Sequence, residues 1–290
     1  IAYQTAYLKA NYPVQYMAAL ISSVMNTKDK VPFYVSVANE IGIEVMPPDV
    51  NESYMNFRVV EDRIRFGLSA VKNVGENAIG SILEAREKEG SFRDLFDFCS
   101  RVDLAAVNSK AIESLIKAGA LDSTNASRRG MLEVLPQAMG FARKTQADAS
   151  AGQGSIFDLL GDSSPTADSS SPDTSSIASR SNGSGNGVHH TIPIPSDDFS
   201  KEERLALEKE TLGLFLSSHP LRGLRREIRG EATHLISELP GLPDGAEATV
   251  IGMVSAVKRI TTKKTGDMMA FVTLEGIQGN VEMLCFPRVY

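Results

Sequence analysis

Cysteine and surplus positive charge are both scarce in this sequence. The two cysteines, Cys99 and Cys285, lie in distant segments, which excludes a disulfide framework and a cysteine-built metal centre. Of the four histidines, His189 and His190 adjoin in a polar tract, while His219 and His234 stand alone, so no spacing resembles a zinc-ligand set. Thirty Lys and Arg against 36 Asp and Glu give a net charge of −6, which excludes a wholly basic nucleic-acid wrapper but leaves room for local basic patches. No apolar run approaches the length that spans a membrane, and no signal peptide is recognisable. The expectation is a cytoplasmic protein without a membrane partner. The chain opens at Ile1 inside a helical pattern and stops at Tyr290 after a strand-like run, as expected of a piece of a larger protein.

What the sequence does contain is a helix-hairpin-helix pattern at Val71-Lys72-Asn73-Val74-Gly75-Glu76-Asn77-Ala78-Ile79. Val71, Val74, Ile79 and Ile82 are apolar anchors at helical spacing, and Gly75 stands where a sharp turn is expected, at a positive φ that glycine alone adopts freely. A helix from about Glu76 to Lys88 follows. Its first N–H groups have no partner within the helix and the helix dipole favours an anion, so they can donate to a DNA phosphate. Such contacts hold backbone without reading bases. The residues assigned to this contact are Lys72, Asn73, Val74, Gly75 and Asn77. A second, weaker copy runs from Val107 to Gly119, with Ile112, Leu115 and Ile116 buried, Gly119 ending the helix and Lys110 as a further DNA contact. The same residues also fit an ordinary αα-hairpin whose glycine caps a helix.

The order of elements predicts a mainly α chain with a small β part. Helices are expected over residues 1–10, 14–25 and 30–41, the last closed by Gly42. Strand-like segments follow at 43–46, 57–60 and 64–66, the last two joined at Glu61-Asp62, and Pro47-Pro48 halts regular structure between the first and second. Phe92, Leu95, Phe96 and Phe98 recur at helical spacing and read as core rather than as a base-stacking platform. From 162 to 200 the composition turns to Ser, Asp, Thr, Gly, Pro and Asn, with too little apolar surface to offset ordering entropy, and reads as a disordered linker. A charged helix is expected from Lys201 to about Phe215 after a cap signal at Ser196-Asp197-Asp198. Strands at 249–256, 270–274 and 280–286 resemble the opening of an OB-fold cut short of its five strands. Its face and its basic loop, with Lys258, Lys263 and Lys264, would hold single-stranded DNA.

Other cations form small groups: Arg128 with Arg129, and Arg222, Arg225, Arg226 and Arg229. Arg128 and Arg129 are taken as DNA contacts; each group equally fits a solvated face. Just before the Ser-rich tract, Gln153-Gly154-Ser155-Ile156-Phe157 places a glutamine at fixed spacing from an aliphatic-aromatic pair. A linear peptide of that form can dock with its amide hydrogen-bonded in one pocket and Ile156 and Phe157 in an apolar one.

Several long motifs carry a resemblance to one family. The run from Ile1 to Pro13, the runs Pro47–Asn51 and Phe66–Gly75, the run Ile112–Asp122 and the run Glu210–Leu221 resemble, in order, the alpha subunits of bacterial DNA polymerase III. The resemblance implies residues 1–48 as the end of a fingers domain, 49–150 as a tandem helix-hairpin-helix domain and 151–161 as a clamp-binding peptide. The linker at 162–200, a helical connector at 201–246 and the first part of an OB-fold at 247–290 complete the division. It also implies duplex DNA, single-stranded template, the beta sliding clamp and other replicase subunits as partners. Template-directed nucleotidyl transfer would use two Mg²⁺ ions on palm carboxylates that lie upstream in the family, so no catalytic residue, metal ligand or cofactor is assigned within these 290 residues. Gln153, Ile156 and Phe157 fall where the family carries its clamp-binding motif, with Ile156 in place of the common Leu. The alternative from another class is a non-enzymatic helix-hairpin-helix protein of DNA binding or repair; a third is a module whose hairpins only pack.

Overall fold

The structure, a computed structural model, describes residues 2–25, 27, 30–150, 192–262, 266–277 and 279–290, without the side chains of residues 148–150 and 222. The peptide at Gln153, Ile156 and Phe157, and the loop residues Lys263 and Lys264, lie outside the described residues.

Three helices open the chain: α1 (Ala2–Asn11), α2 (Pro13–Ser23) and α3 (Lys30–Glu40). Pro13 begins α2, where its missing N–H costs nothing. Residue Gly42 takes the left-handed conformation at φ 83° and releases the chain into β1 (Val45–Met46). This short strand pairs in parallel with β3 (Arg63–Arg65), which pairs antiparallel with β2 (Arg58–Val60). The hairpin closes on Glu61 and Asp62, both at positive φ (48° and 60°), the twist a two-residue loop needs between right-twisted strands.

Two stacked helical hairpins follow. The first is a single 3₁₀ turn at Leu68–Ala70, a tight loop, and α4 (Glu76–Glu89). The second is α5 (Leu95–Arg101), a loop, and α6 (Ser109–Lys117). The long helix α7 (Arg128–Ser150) packs across α5 and α6. On it, Gln146 donates to the carbonyls of Ser100 and Val102 at 3.0 and 2.9 Å, capping the open end of α5. One continuous core joins these pieces, with Phe66, Ile79, Ile82, Leu95, Phe98, Ile112 and Leu115 fully enclosed. The aromatics Phe92 and Phe98 meet edge to face at 4.9 Å inside it, so this set is core, as the spacing indicates.

Residues 192–200 correct the expected extent of the linker. They run along the start of α7, with Ile194 packed on the core and the Ser127 hydroxyl donating to the Pro195 carbonyl at 2.5 Å. The apolar Ile192-Pro193-Ile194-Pro195 stretch gives this end of a polar tract something to bury. Helix α8 (Lys201–Leu212) then starts on Ser200, not on the Ser196-Asp197-Asp198 signal: the Ser200 hydroxyl accepts from the Glu203 N–H at 3.2 Å, and the Glu203 carboxylate accepts from the Ser200 N–H at 2.8 Å. Gly213 at φ 80° ends it three residues earlier than Phe215, and Leu212 and Leu214 drop into the hairpin core.

A short α9 (Arg225–Glu231) leads to three antiparallel strands in the order β4 (Met253–Thr261), β5 (Met268–Glu275), β6 (Asn280–Cys285). A register shift between Val254 and Ala256 bends β4. The sheet is tied to α8 by Lys209, whose ammonium meets both oxygens of Glu275 at 2.8 Å and lies 4.9 Å from the centre of the Phe215 ring.

Candidate nucleic-acid interface

The two hairpins are copies in structure as well as sequence. Val74-Gly75-Glu76-Asn77-Ala78-Ile79 and Val107-Asn108-Ser109-Lys110-Ala111-Ile112 share Val, Ala and Ile at the same steps. Val, Ala and Ile of both copies are buried. Gly75 (φ −84°, ψ 163°) and Asn108 (φ −74°, ψ 167°) hold nearly the same extended conformation immediately before α4 and α6. Both helix starts open into one shallow depression of about 600 Å³, lined by residues of each copy: Asn73, Val74, Gly75, Glu76, Asn77 and Ala78 from the first, Ala106, Asn108 and Ala111 from the second.

Gly75 therefore does not make the turn. Its φ is negative, and the left-handed residue is Asn73 at φ 66°, a conformation asparagine tolerates better than most side chains. The Asn73 amide donates to the Ser114 hydroxyl at 3.0 Å, which fixes the hairpin against α6. What glycine contributes at position 75 is a missing side chain. A Cβ there would meet no atom within 4 Å, so the space in front of the α4 amides is open.

The two starts differ in how their amides are satisfied. The Asn108 side chain accepts from the Ala111 N–H at 2.9 Å and caps α6, whereas α4 has no side-chain cap. The α4 start, with no side-chain cap on its first N–H groups, is the more open of the two to an anion. Glu76 is the one charged residue lining the depression and opposes an anion; Lys110, exposed in the first turn of α6, favours one. Hydrogen-bond donors rather than a basic patch define this surface.

Of the residues assigned from sequence, Asn73, Val74, Gly75 and Asn77 meet at the depression and Lys110 stands beside it. Val74 contributes backbone only, being buried. Four cations are placed elsewhere. The Lys72 ammonium donates to the Glu210 carbonyl at 2.6 Å, at the C-terminal end of α8, where a helix dipole favours a cation. Arg128 is buried, held bidentate by Asp122 at 2.9 and 2.6 Å with Glu208 3.6 Å away. Its burial acts to lower its pKa and is outweighed by Asp122, so it stays charged. Gly119, at φ 80°, leaves room for that guanidinium. Arg129 pairs with Asp197 at 3.4 Å and Glu203 at 3.2 Å, over the Phe199 ring. Lys258 is exposed on β4, in the separate sheet. Ala106, Asn108 and Ala111 line the depression as well, outside the residues expected from sequence, and correspond to Asn73, Gly75 and Ala78 of the first copy.

Comparison with known proteins agrees with this architecture. Residues 42–131 match a family described as helix-hairpin-helix motif. DNA polymerase III subunit alpha of Mycobacterium tuberculosis is 39% identical over 100% of this chain, which covers 23% of that protein. The subunit of Deinococcus radiodurans is 39% identical over 100% of the chain and 20% of its own length. That of Vibrio cholerae is 33% identical over 99% of the chain and 23% of its own length. The chain thus spans less than a quarter of these relatives.

Proposed function

For a chain related along its whole length to the alpha subunits of DNA polymerase III, we propose the role of holding DNA for a replicative polymerase. Its hairpins grip duplex DNA through the phosphate backbone. The observation that carries this is the convergence of two helix starts, at Gly75 and Asn108, on one open depression. Paired starts suit a duplex, since each can take a phosphate of one strand, and backbone donors are indifferent to sequence, as a polymerase requires.

The remaining assignments belong to the same proposal. Gln153, Ile156 and Phe157 dock on the beta sliding clamp, and the β4–β6 sheet with Lys258, Lys263 and Lys264 faces single-stranded template. Other replicase subunits complete the assembly in the cytoplasm. Among the described residues no helix is long and apolar enough to cross a membrane. Synthesis itself belongs to the parent polymerase, whose Mg²⁺ would sit on carboxylates outside this chain. Among the described residues no group of three or more His, Cys, Asp or Glu could hold a metal.

Anisotropy of two labelled duplexes of unrelated sequence, titrated with the chain across a salt series, tests the grip. Both duplexes should bind alike, and log affinity should fall with log salt by about 0.9 per phosphate neutralised. Gly75→Val puts a side chain into the space before α4, where its Cβ would meet no atom within 4 Å, so it should weaken binding several-fold with the fold intact. Parent-like binding by that variant would remove the hairpin from the account.

A further inference from the structure

At the far end of α4 a different cationic surface is assembled around Tyr54. The Arg58 guanidinium carbon lies 4.5 Å from the centre of the Tyr54 ring and that of Arg86 lies 4.7 Å from it. A ring attracts cations through its quadrupole, which lets two like charges gather on one residue. The two arginines differ in their other partners. Arg86 is anchored, donating to the carbonyls of Val50 at 3.0 Å and Ser53 at 2.8 Å. Arg58 is exposed, and among the described residues no carboxylate lies within 4.0 Å of it. Across the hairpin its register partner is Arg65, and Arg63 shares that outer face; these two are paired with Glu52 and Glu61. Asp49 also lies near Arg65, so the arginines without an ion pair here, among the described residues, are the two on Tyr54.

We propose that Tyr54, Arg58 and Arg86 form a second phosphate contact for duplex DNA, apart from the helix starts. Charge complementarity selects a polyanion, and the stacked ring selects phosphate over base. With guanidiniums already on it, Tyr54 offers no open platform for a nucleobase, while Arg58 keeps hydrogen-bond donors free for a backbone oxygen. The pad is built rigidly onto the hairpin module. The Tyr54 carbonyl accepts from Leu68 N–H at 2.9 Å and that of Met55 from Ser69 N–H at 3.2 Å, in the 3₁₀ turn leading to the first hairpin. Arg86 lies ten residues along α4 from Glu76. That is about 15 Å of helix, so the pad and the α4 start are separate points on one rigid element.

The proposal rests on the duplex-binding reading, and variants separate the two. Duplex binding across a salt series is measured for the parent chain, Arg58→Gln, Tyr54→Leu and Gly75→Val, with unfolding followed for each. Arg58→Gln should weaken binding on the order of fivefold, equally for unrelated sequences, and reduce the salt slope by about one. Tyr54→Leu, which removes no charge, should weaken binding several-fold by releasing Arg58. Loss on Gly75→Val with parent-like binding by Arg58→Gln overturns the pad and leaves the hairpin. Loss on Arg58→Gln with a parent-like Gly75→Val overturns the hairpin and leaves the pad. A parent-like Tyr54→Leu beside a weakened Arg58→Gln also overturns the pad, since Arg58 would then act only as diffuse charge.

Discussion

Ser81 and Ser114 occupy the same position in α4 and α6, as far apart in sequence as Gly75 and Asn108, and each accepts a hydrogen bond from the opposite hairpin. The Ser81 hydroxyl oxygen accepts from the Asp103 N–H at 2.8 Å, and that of Ser114 accepts from the Asn73 amide at 3.0 Å. The exchange is reciprocal, so neither helix start can move without disturbing the other copy. This holds the two helix starts at one spacing, as the proposed grip on two strands requires.

Ser114→Ala should therefore cost stability and grip together. The Ser114 side chain is buried, so its loss leaves the Asn73 amide without this partner beside a left-handed backbone. Asn73 itself is exposed, so water can replace the lost partner, and the expected loss is about 0.5–1.5 kcal/mol in urea unfolding, the net worth of one hydrogen bond. Ser81→Ala, at a less enclosed site, should cost about 1 kcal/mol or less. Equal and negligible losses would show that the hairpins stand without the exchange.

Gly75→Asn separates stability from binding. The extended backbone at Gly75 matches that of Asn108, so asparagine should cap α4 as Asn108 caps α6. Asparagine exceeds glycine as a cap by a few tenths of a kcal/mol, so unfolding should shift slightly upward. Its side chain would then occupy the amide that a phosphate needs, and duplex affinity should fall. A gain in stability with no loss of affinity would mean that the α4 start is not the contact.

How these features read from sequence depends on the range over which they are determined. The Glu61-Asp62 turn is local: two adjacent acidic residues interrupt two short strand-like segments rich in β-branched residues, and the structure closes the hairpin there. Helix α4 begins at Glu76 as expected, yet the reason assigned to Gly75 was wrong, because asparagine and glycine both satisfy a left-handed turn and the chain places that conformation at Asn73. The first helix of the first hairpin shrinks to a 3₁₀ turn, its segment being held by backbone bonds to Tyr54 and Met55. Lys72 and Arg129 look like surface cations because their partners Glu210, Asp197 and Glu203 come from a helix and strap far along the chain, and Arg128, though held by nearby Asp122, is enclosed only when Glu208 of that helix packs beside it. No local pattern carries that information. The arginine pad at Tyr54 was missed for the same reason, since Arg86 joins it from another element.

Acid should loosen the second hairpin through Asp97. Burial raises the pKa of this carboxyl, but the Arg93 N–H at 3.0 Å, the Arg101 guanidinium at 3.0 Å and the Arg93 side chain outweigh it, and the net shift is downward from 3.8. A depressed folded pKa means that the unfolded chain takes up the proton first. The stabilisation is complete above about pH 4–5 and is lost as pH falls through the folded value. Asp97→Asn should thus be less stable than the parent at neutral pH and converge with it in acid. Parallel stability profiles for the two between neutral pH and pH 3 would assign the acid sensitivity to other groups.

The clamp contact proposed for Gln153, Ile156 and Phe157 has an energetic ranking that calorimetry can test. Phe157 should dominate, because burying such a ring is worth about 1.5–3 kcal/mol before ordering costs. Its loss in Phe157→Ala corresponds to a drop of roughly tenfold to a hundredfold in clamp affinity. Gln153→Ala removes an orienting hydrogen bond of about 1 kcal/mol net, so its effect should be some fivefold. Leu160→Ala, outside the motif, should bind as the parent does. Titrating each variant into purified beta clamp gives the three constants directly. An unchanged affinity for Phe157→Ala would mean that the peptide does not contact the clamp, while equal losses for Phe157→Ala and Leu160→Ala would mean that apolar content rather than the motif spacing sets the interaction.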